Sequence, residues 1–283
     1  MSETVLTIYK QLAETPLSAL KRARGEHHIS PEIPMTYAGR LDPMAEGLLL
    51  ILVGDECKNK EQYLGLSKTY EFKILVGLST DTHDLLGITE NVSSKEVFVR
   101  SSDLLSRLTP SAGQTVPTIS FDSTLQAEIS FPDYTEQIQR SLNQFTGTFI
   151  QKYPSFSSKT IDGKQLFQLS KDDELPEILP EHEITIEKLE ITHTEIISKE
   201  ALHTEILRRI ALVEGDFRQA EIIQKWNEVF VSTTQQEFLL VSCTAECSSG
   251  TYIRQLVSDI SEKIGHPLVT YSIKRTVVGG YSL

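Results

Sequence analysis

A rigid acidic turn followed by a fully apolar run, within residues 37–54, constrains this chain more than any other feature. Asp42 stands immediately before Pro43, and a glycine lies three residues earlier. Glycine and proline favour a stiff turn over a helix. The apolar run, residues 48–53, is short and ends at a glycine, which predicts a buried strand. A carboxylate on a rigid turn beside a buried strand suits a nucleophile or general base, although most Asp-Pro pairs only form turns.

Length and composition are those of an ordinary globular protein. The chain has 283 residues, of which 39% are hydrophobic and 23% are charged, enough to bury a large core. No apolar stretch approaches the roughly 18 residues that a membrane helix needs, and the N-terminus lacks a signal pattern. Cys57, Cys243 and Cys247 cannot all pair, and they lack the spacing of a metal site. We therefore expect a reduced, cytoplasmic protein without a bound metal.

Apolar periodicity elsewhere predicts a mixture of helices and strands. The predicted strands cover residues 5–10, 70–76, 238–246 and 269–283. One short helix is predicted to start near Thr15, and further helices are predicted over residues 55–64, 134–145 and 250–264. Two amphipathic helices are predicted around Gly215, within residues 199–230. The residues alone thus support a mixed α and β content.

The motif around Asp42 resembles a known family signature. Gly-Arg-Leu-Asp-Pro-Met-Ala-Glu-Gly-Leu-Leu, residues 39–49, is similar to the G-x-L-D-P-x-A-x-G-x-L motif of the TruB family, the tRNA pseudouridine-55 synthases. The family's catalytic aspartate maps onto Asp42. Residues 68–70, 77–87 and 247–265 resemble further motifs of the family.

The resemblance implies a catalytic site built from distant parts of the chain. Tyr70 is expected to stack on the target base and to accept a proton, while Tyr252 and Ile273 form the walls of the pocket. An arginine in the first turn of a helix is electrostatically misplaced. For Arg254 this is explained if the guanidinium pairs with Asp42 and holds it as an aimed, ionised carboxylate.

The RNA backbone is expected to meet basic side chains close to this site. The residues expected to contact phosphates are Lys10, Lys21, Arg22, Arg40, Lys68 and Lys274. The net charge of −12 is unfavourable for an RNA-binding protein, but residues 171–237 alone contribute −9 of it. Weak non-specific RNA affinity is therefore expected.

Two departures from the family pattern concern the substrate. The family usually has histidine five residues before the catalytic aspartate, and Tyr37 occupies that position here. Tyrosine can stack on RNA but cannot become a cation, so activity is expected to survive with an altered substrate preference. Residues 151–167 match a further motif only in part, with Phe156 and Phe167 in place of tyrosines.

The resemblance also implies the architecture. We expect an α+β pseudouridine synthase fold, in which helices flank a mixed, mostly antiparallel sheet. We expect one catalytic domain over residues 1–283 without the C-terminal PUA-like RNA-binding domain common in the family. Insertions are expected at about residues 91–133 and at 199–236, the latter a helical hairpin.

The expected function is cofactor-free isomerisation of uridine 55 in the T-loop of tRNA, by a monomer, with Asp42 as the reacting carboxylate. One alternative is a non-catalytic tRNA-binding or RNA-chaperone homologue. A second is a pseudouridine synthase with another RNA substrate. A third, from the motifs alone, is a carboxylate-dependent hydrolase, which needs a second acid near Asp42, with Glu46 as the nearby candidate.

Overall fold

The computed structural model describes residues 4–92 and 131–283. The insertion expected over residues 91–133 lies almost wholly outside these residues. Within the described ranges, no helix combines the length and apolar character needed to cross a membrane.

Strands and helices are interspersed along the described residues. The strands are β1 Val5–Lys10, β2 Met35–Ala38, β3 Ala45–Val53, β4 Lys68–Val76, β5 Leu78–Thr80, β6 Thr89–Val92, β7 Gly147–Lys152, β8 Thr160–Ile161, β9 Lys164–Gln165, β10 Glu181–Ser198, β11 Glu237–Cys247, β12 Leu268–Val278 and β13 Tyr281–Ser282. The α-helices are α1 Pro16–Glu26, α2 Lys60–Leu64, α3 Phe131–Leu142, α4 Leu166–Lys171, α5 Lys199–Ala211, α6 Gln219–Ser232 and α7 Ile253–Ile264. A 3-10 helix, Gly54–Asn59, precedes α2.

The main sheet of the described residues runs in the order β1-β3-β12-β4-β11-β10-β7. Strand β2 pairs with β3, and β13 pairs with β12. Along this order β12 and β3 are parallel, and the other neighbours are antiparallel. The predicted mixed, mostly antiparallel sheet is therefore confirmed.

Helices cover both faces of this sheet. On one face, Ile138 of α3 and Leu256 of α7 pack with Phe72 of β4 in one buried cluster. On the other face, Ile206 of α5 and Trp226 of α6 are buried against residues of β11 and β12. Burying apolar faces between helix layers and a sheet is the standard way for such elements to form one core.

Local signals in the sequence account for several helix ends. Thr15 caps α1, its Oγ1 accepting a hydrogen bond from the Ser18 amide at 3.1 Å, as a threonine at that position predicts. Gly265 ends α7 with φ +64°, a conformation that glycine adopts without strain. Several boundaries differ from prediction; among them, α7 starts at Ile253 rather than near residue 250, and α3 starts and ends three residues earlier than predicted.

Strand β12 brings the acidic turn, β3 and β4 together. Its Ile273 pairs in register with Ala45 on β3 and with Phe72 on β4. Gly47 makes the approach to β3 possible, because a Cβ there would lie 2.3 Å from the Arg275 carbonyl oxygen. The end of the sheet next to Asp42 is therefore closely packed and fixed in register.

Candidate active site

Arg275 fixes the backbone on both sides of Asp42. Its guanidinium donates to the carbonyl oxygens of Leu48 at 2.8 Å, Arg40 at 3.3 Å and Gly39 at 3.3 Å, and its side chain is almost fully buried. A planar guanidinium with several donors is suited to holding carbonyl groups at fixed angles. The acidic turn is thus tied to the sheet by a buried arginine whose role the sequence motifs did not predict.

Arg254 contacts Asp42 as the sequence predicted. Its Nε donates to Asp42 Oδ2 at 2.8 Å. Its other two nitrogens donate to the carbonyl oxygens of Thr82 at 2.7 Å and Phe156 at 3.1 Å. The Arg254 side chain is 4% exposed and that of Asp42 is 40% exposed, so the arginine is a buried anchor for a carboxylate that remains accessible.

A second carboxylate, Asp84, lies behind this pair. Asp84 Oδ2 is 3.7 Å from Arg254 Nε, and Oδ1 accepts hydrogen bonds from Thr82 Oγ1 at 2.8 Å and the Leu86 amide at 2.9 Å. Burial raises the pKa of Asp84, with Arg254 acting in the opposite direction. Burial lowers the pKa of Arg254, but Asp42 and Asp84 outweigh that effect and raise it. The 77–87 segment therefore supports the site, because it supplies both Asp84 and the Thr82 carbonyl to Arg254.

The predicted catalytic and base-binding residues line one cavity of about 260 Å³. They are Asp42, Tyr70, Tyr252, Arg254 and Ile273. Burial raises the pKa of Tyr70, while the positive charge of Arg275 acts in the opposite direction. The cavity thus has a carboxylate at one side, a neutral phenol and apolar walls, which is a suitable lining for a flat, uncharged base.

Gln151 holds Tyr252 in position and was not singled out from the sequence. The Tyr252 amide donates to Gln151 Oε1 at 2.9 Å, and Gln151 Nε2 donates to the Tyr252 carbonyl at 3.2 Å. The Tyr252 ring also packs edge-on against Tyr153, with the centroids 5.6 Å apart. A glutamine at an inward-facing position of a strand could have indicated such a role, because buried amides need partners.

Two lysines predicted to contact RNA phosphates, Lys10 and Lys68, are buried in this structure. Lys10 is 0% exposed, and its Nζ donates to the Ala45 carbonyl at 2.5 Å. Lys68 is 6% exposed, and its Nζ is bonded to the carbonyls of Leu64 and Leu66. Burial lowers the pKa of each to about 8. Backbone carbonyls take the place of water around both ammonium groups. Of the two lysines, only Lys68 lines the cavity.

The remaining predicted RNA contacts lie at different depths. Arg40 is exposed and lines the 260 Å³ cavity as well as a larger neighbouring one. Lys274 is half-buried and pairs in register with Glu46 and Glu71. Tyr37 lines the larger cavity, with Lys60 Nζ 5.6 Å from its ring centroid. Arg40 is the cation best placed to meet RNA at this site.

The two remaining basic residues lie on α1. Lys21 is exposed. Arg22 is paired with Glu14 at 2.9 Å and with Glu26 at 3.1 Å. An arginine already held by two carboxylates has less charge available for a phosphate, which leaves Lys21 as the freer cation of this helix.

The larger cavity has a volume of about 470 Å³ and shares Asp42 and Arg254 with the smaller one. Phe217 and Arg218, from the loop between α5 and α6, form part of its wall. The sequence predicted the two helices of this hairpin, but not that their connecting loop reaches the site.

Other chemistries find less support in the geometry. Among the residues that the structure describes, no group of three or more His, Cys, Asp or Glu side chains is arranged to hold a metal ion. Glu46 lines neither cavity. The second acid that the hydrolase alternative placed beside Asp42 is therefore not supplied by Glu46.

Comparison with known sequences links these motifs to one family. A family profile described as TruB family pseudouridylate synthase (N terminal domain) matches residues 32–128 and 118–217. A tRNA pseudouridine synthase B of Limosilactobacillus reuteri is 25% identical over 281 residues, which cover 99% of this chain and 68% of that protein. A tRNA pseudouridine synthase B of Bifidobacterium longum strain DJO10A is 30% identical over 284 residues, which cover 99% of this chain and 64% of that protein. The chain thus spans about two thirds of the length of these relatives.

A solved structure shares the fold. The crystal structure of a Cbf5-Nop10-Gar1 complex contains a chain that matches with a TM-score of 0.51 and 13% sequence identity. The match covers 98% of this chain and 49% of the other. The sheet and its helical layers therefore follow an architecture already known from that complex.

Proposed function

The chain belongs to the TruB family of pseudouridylate synthases, and on that premise we propose that it isomerises uridine 55 in the T-loop of tRNA to pseudouridine. The observation that carries the proposal is the accessible Asp42 carboxylate, held by buried Arg254 at the wall of a base-sized cavity. The relatives named tRNA pseudouridine synthase B support tRNA as the substrate. With tRNA as its substrate, the protein is proposed to act in the cytoplasm.

The reaction needs the target base to leave its stack and enter the protein. In the proposed complex the uracil ring occupies the 260 Å³ cavity between Tyr70 and Ile273. Ile273 is almost fully buried and held in the sheet by its register with β3 and β4. A rigid apolar wall on one side and an aromatic ring on the other position a flat base with little loss of protein entropy.

Asp42 supplies the reacting group. Its carboxylate acts toward the ribose either as a nucleophile or as a base, and both routes break the bond between C1′ and the base nitrogen. The hydrogen bond from Arg254 Nε fixes one carboxylate oxygen, so that the other is directed toward the substrate. The Arg275 contacts to the neighbouring backbone prevent the turn from moving during the reaction.

Tyr70 relays the proton that leaves C5 once the base has rotated and rejoined the sugar: its oxygen accepts that proton while the hydroxyl passes its own proton to water in the cavity. Burial raises the pKa of Tyr70, so that the neutral phenol is the resting form against which the base stacks. The positive charge of Arg275 acts against burial and lowers the pKa of this hydroxyl, so it stabilises partial negative charge on the phenolic oxygen during the transfer. The proposal therefore assigns Tyr70 to stacking and proton transfer, and Asp42 to the ribose.

Release of tritium from carbon 5 of uridine tests this function. We would incubate the protein with a tRNA transcript labelled at all uridines and with a matched transcript that carries cytidine at position 55. Release from the first transcript alone is the expected result. Release from both transcripts would overturn the choice of uridine 55 and favour another uridine or another RNA.

A non-catalytic RNA-binding role is the second candidate, and the charge distribution favours it. The net charge is −12, and the burial of Lys10 and Lys68 removes two cations from the RNA-facing surface. Binding of the transcript without any release of tritium would establish that alternative. If the transcript is neither bound nor made to release tritium, that result would contradict tRNA as the ligand of the isolated chain.

A further inference from the structure

The loop between the two hairpin helices, residues 212–218, is anchored beside the active site. Arg218 NH1 lies 2.9 Å from Asp81 Oδ2, and its guanidinium carbon is 4.6 Å from the Phe156 ring centroid. Further along the hairpin, Trp226 Nε1 donates to the Leu85 carbonyl at 3.2 Å. The loop is thus fixed on the segment that also carries Asp84, rather than projecting into solvent.

Aromatic rings form part of the lining of the cavity beside this loop. This cavity is about 470 Å³ in volume, and four aromatic side chains contribute to its lining: Tyr37, Phe156, Phe167 and Phe217. Each of these side chains is half-buried, so that part of each ring remains available to a ligand. Aromatic rings with accessible faces are typical of proteins that stack unpaired bases.

The charges around the cavity are mostly neutralised by protein partners. Arg254 is paired with Asp42, Lys171 lies 3.5 Å from Asp216, and Arg218 is paired with Asp81. Arg40 is exposed at the junction of both cavities and lies in no ion pair within the part of the chain that the structure describes. The interior therefore suits an uncharged base, and the cation at its mouth suits the phosphate that joins that base to its neighbour.

The two cavities adjoin each other. Both are lined by Arg40, Leu41, Asp42, Ser158 and Arg254. A nucleotide chain that places one base in the smaller cavity brings the next base to the larger one, because both meet at Asp42. One ligand can then span both cavities through a single phosphate.

We propose that the larger cavity binds the base of the unpaired nucleotide directly next to the target uridine, and that Phe217 of the hairpin loop supplies one stacking face. This rests on the proposed function, since it assumes that the target base occupies the smaller cavity. The hairpin then contributes to substrate selection, requiring an unstacked neighbour beside the target.

Paired changes in protein and RNA test the proposal. Affinity for a T-loop hairpin RNA would be measured for Phe217→Ala in an Asp42→Asn background, which prevents turnover. The RNAs carry either an intact nucleotide or an abasic one at each position flanking the target uridine. With the intact RNA, Phe217→Ala is expected to weaken binding by roughly 5- to 100-fold. With the RNA that is abasic at the occupied flank, the same change is expected to have almost no effect.

Two further variants separate stacking from folding. Phe217→Leu keeps an apolar side chain in the partly buried position but removes the flat ring. Like Phe217→Ala, it should weaken binding to the intact RNA and leave binding to the abasic RNA almost unchanged. Val231→Ala, on the 85% exposed Val231 of α6, should bind every RNA like the parent. Equal weakening by Phe217→Ala on intact and abasic RNAs would overturn the proposal and make Phe217 a packing residue of the hairpin.

The outcomes also distinguish this proposal from the proposed function. Tritium release by the wild-type protein is measured on the same intact RNA. Release without any coupling between Phe217 and a flanking base would overturn the second base site alone. Coupling without release would overturn the isomerase function and leave the base site standing. Absence of RNA binding by the parent protein would overturn the base site directly.

Discussion

Arg254 Nε lies 2.8 Å from Asp42 Oδ2 and 3.7 Å from Asp84 Oδ2. One buried guanidinium therefore connects an accessible carboxylate at the cavity wall to a buried carboxylate behind it. Its two remaining nitrogens are bonded to the carbonyls of Thr82 and Phe156, which come from separate loops. The position of the reacting carboxylate is thus set by three segments that meet at one side chain.

Arg254→Lys should therefore reduce catalysis while leaving RNA binding nearly intact. Lysine keeps the charge but lacks the planar fork that reaches Asp42, Thr82 and Phe156 together. We expect kcat for tritium release to fall by about 100-fold or more, with KM changed by less than about threefold. Arg208→Lys, at an exposed arginine of the hairpin, is the matched control. Wild-type kcat in Arg254→Lys would show that the guanidinium contacts do not position Asp42.

Arg275→Lys should affect both stability and rate. The arginine is almost fully buried and bonded to the carbonyls of Leu48, Arg40 and Gly39, and a lysine cannot reach all three. Unsatisfied buried carbonyls cost about 1–3 kcal/mol each at most sites, so we expect the free energy of unfolding in urea to fall by about 2–4 kcal/mol. Tritium release at a temperature where the variant is folded should also be slower. A stable variant with wild-type kcat would contradict the role assigned to Arg275.

Gly47→Ala tests the close approach of β12 to β3. Gly47 has φ +109°, and an added Cβ would lie 2.3 Å from the Arg275 carbonyl oxygen. Both the backbone conformation and the contact are unfavourable, so we expect a loss of about 3 kcal/mol or more in the free energy of unfolding. Gly280→Ala is the control, because a Cβ there meets nothing within 4 Å. Equal stability of the two variants would mean that the strands can separate without cost.

Asp259 on α7 makes a pH-dependent contribution to stability. Burial raises its pKa from 3.8 to about 6, against a hydrogen bond from Gln255 that acts in the opposite direction. Because the pKa is higher in the folded state, protonated Asp259 stabilises the fold. That stabilisation is fully present below pH 3.8 and is lost as the pH rises through about 6. We therefore expect Asp259→Asn to be more stable than wild type by about 1–2 kcal/mol at pH 8, allowing for partial exposure.

Thermal unfolding of both proteins at pH 4 and pH 8 checks this. The advantage of Asp259→Asn should shrink toward zero at pH 4, because the aspartate is then largely protonated in the folded state. Asp55→Asn, at a fully exposed carboxylate whose pKa is lowered by Lys58, should show no such gain at pH 8. A pH-independent difference for Asp259→Asn would contradict the raised pKa.

The sequence predicted the parts of this structure that depend on local signals. The Thr15 cap, the glycine end of α7 and the two hairpin helices follow from neighbouring residues and their periodicity. The contact between Arg254 and Asp42 was predicted from the family resemblance together with the unfavourable position of a cation in a first helical turn. The resemblance to the family supplied the sheet and the residues that meet in the smaller cavity.

Three features depend on tertiary contacts that local patterns do not encode. Lys10 and Lys68 look like surface cations in the sequence, yet carbonyls from other segments surround them. Arg275 lies two residues after Ile273 and, like it, is buried in β12. Its carbonyl partners are more than 200 residues away in the sequence. The approach of Phe217 to Asp42 follows from how the hairpin docks on the sheet, which amphipathicity alone does not determine.

Tritium release by Asp42→Asn, measured beside wild type on the T-loop transcript, tests the central claim most directly. Asparagine has nearly the same shape and can still accept the hydrogen bond from Arg254, so the cavity and RNA binding should be preserved. The account predicts that release falls by about a thousandfold or more while the affinity for RNA is unchanged. Release at the wild-type rate would show that Asp42 is not the reacting carboxylate.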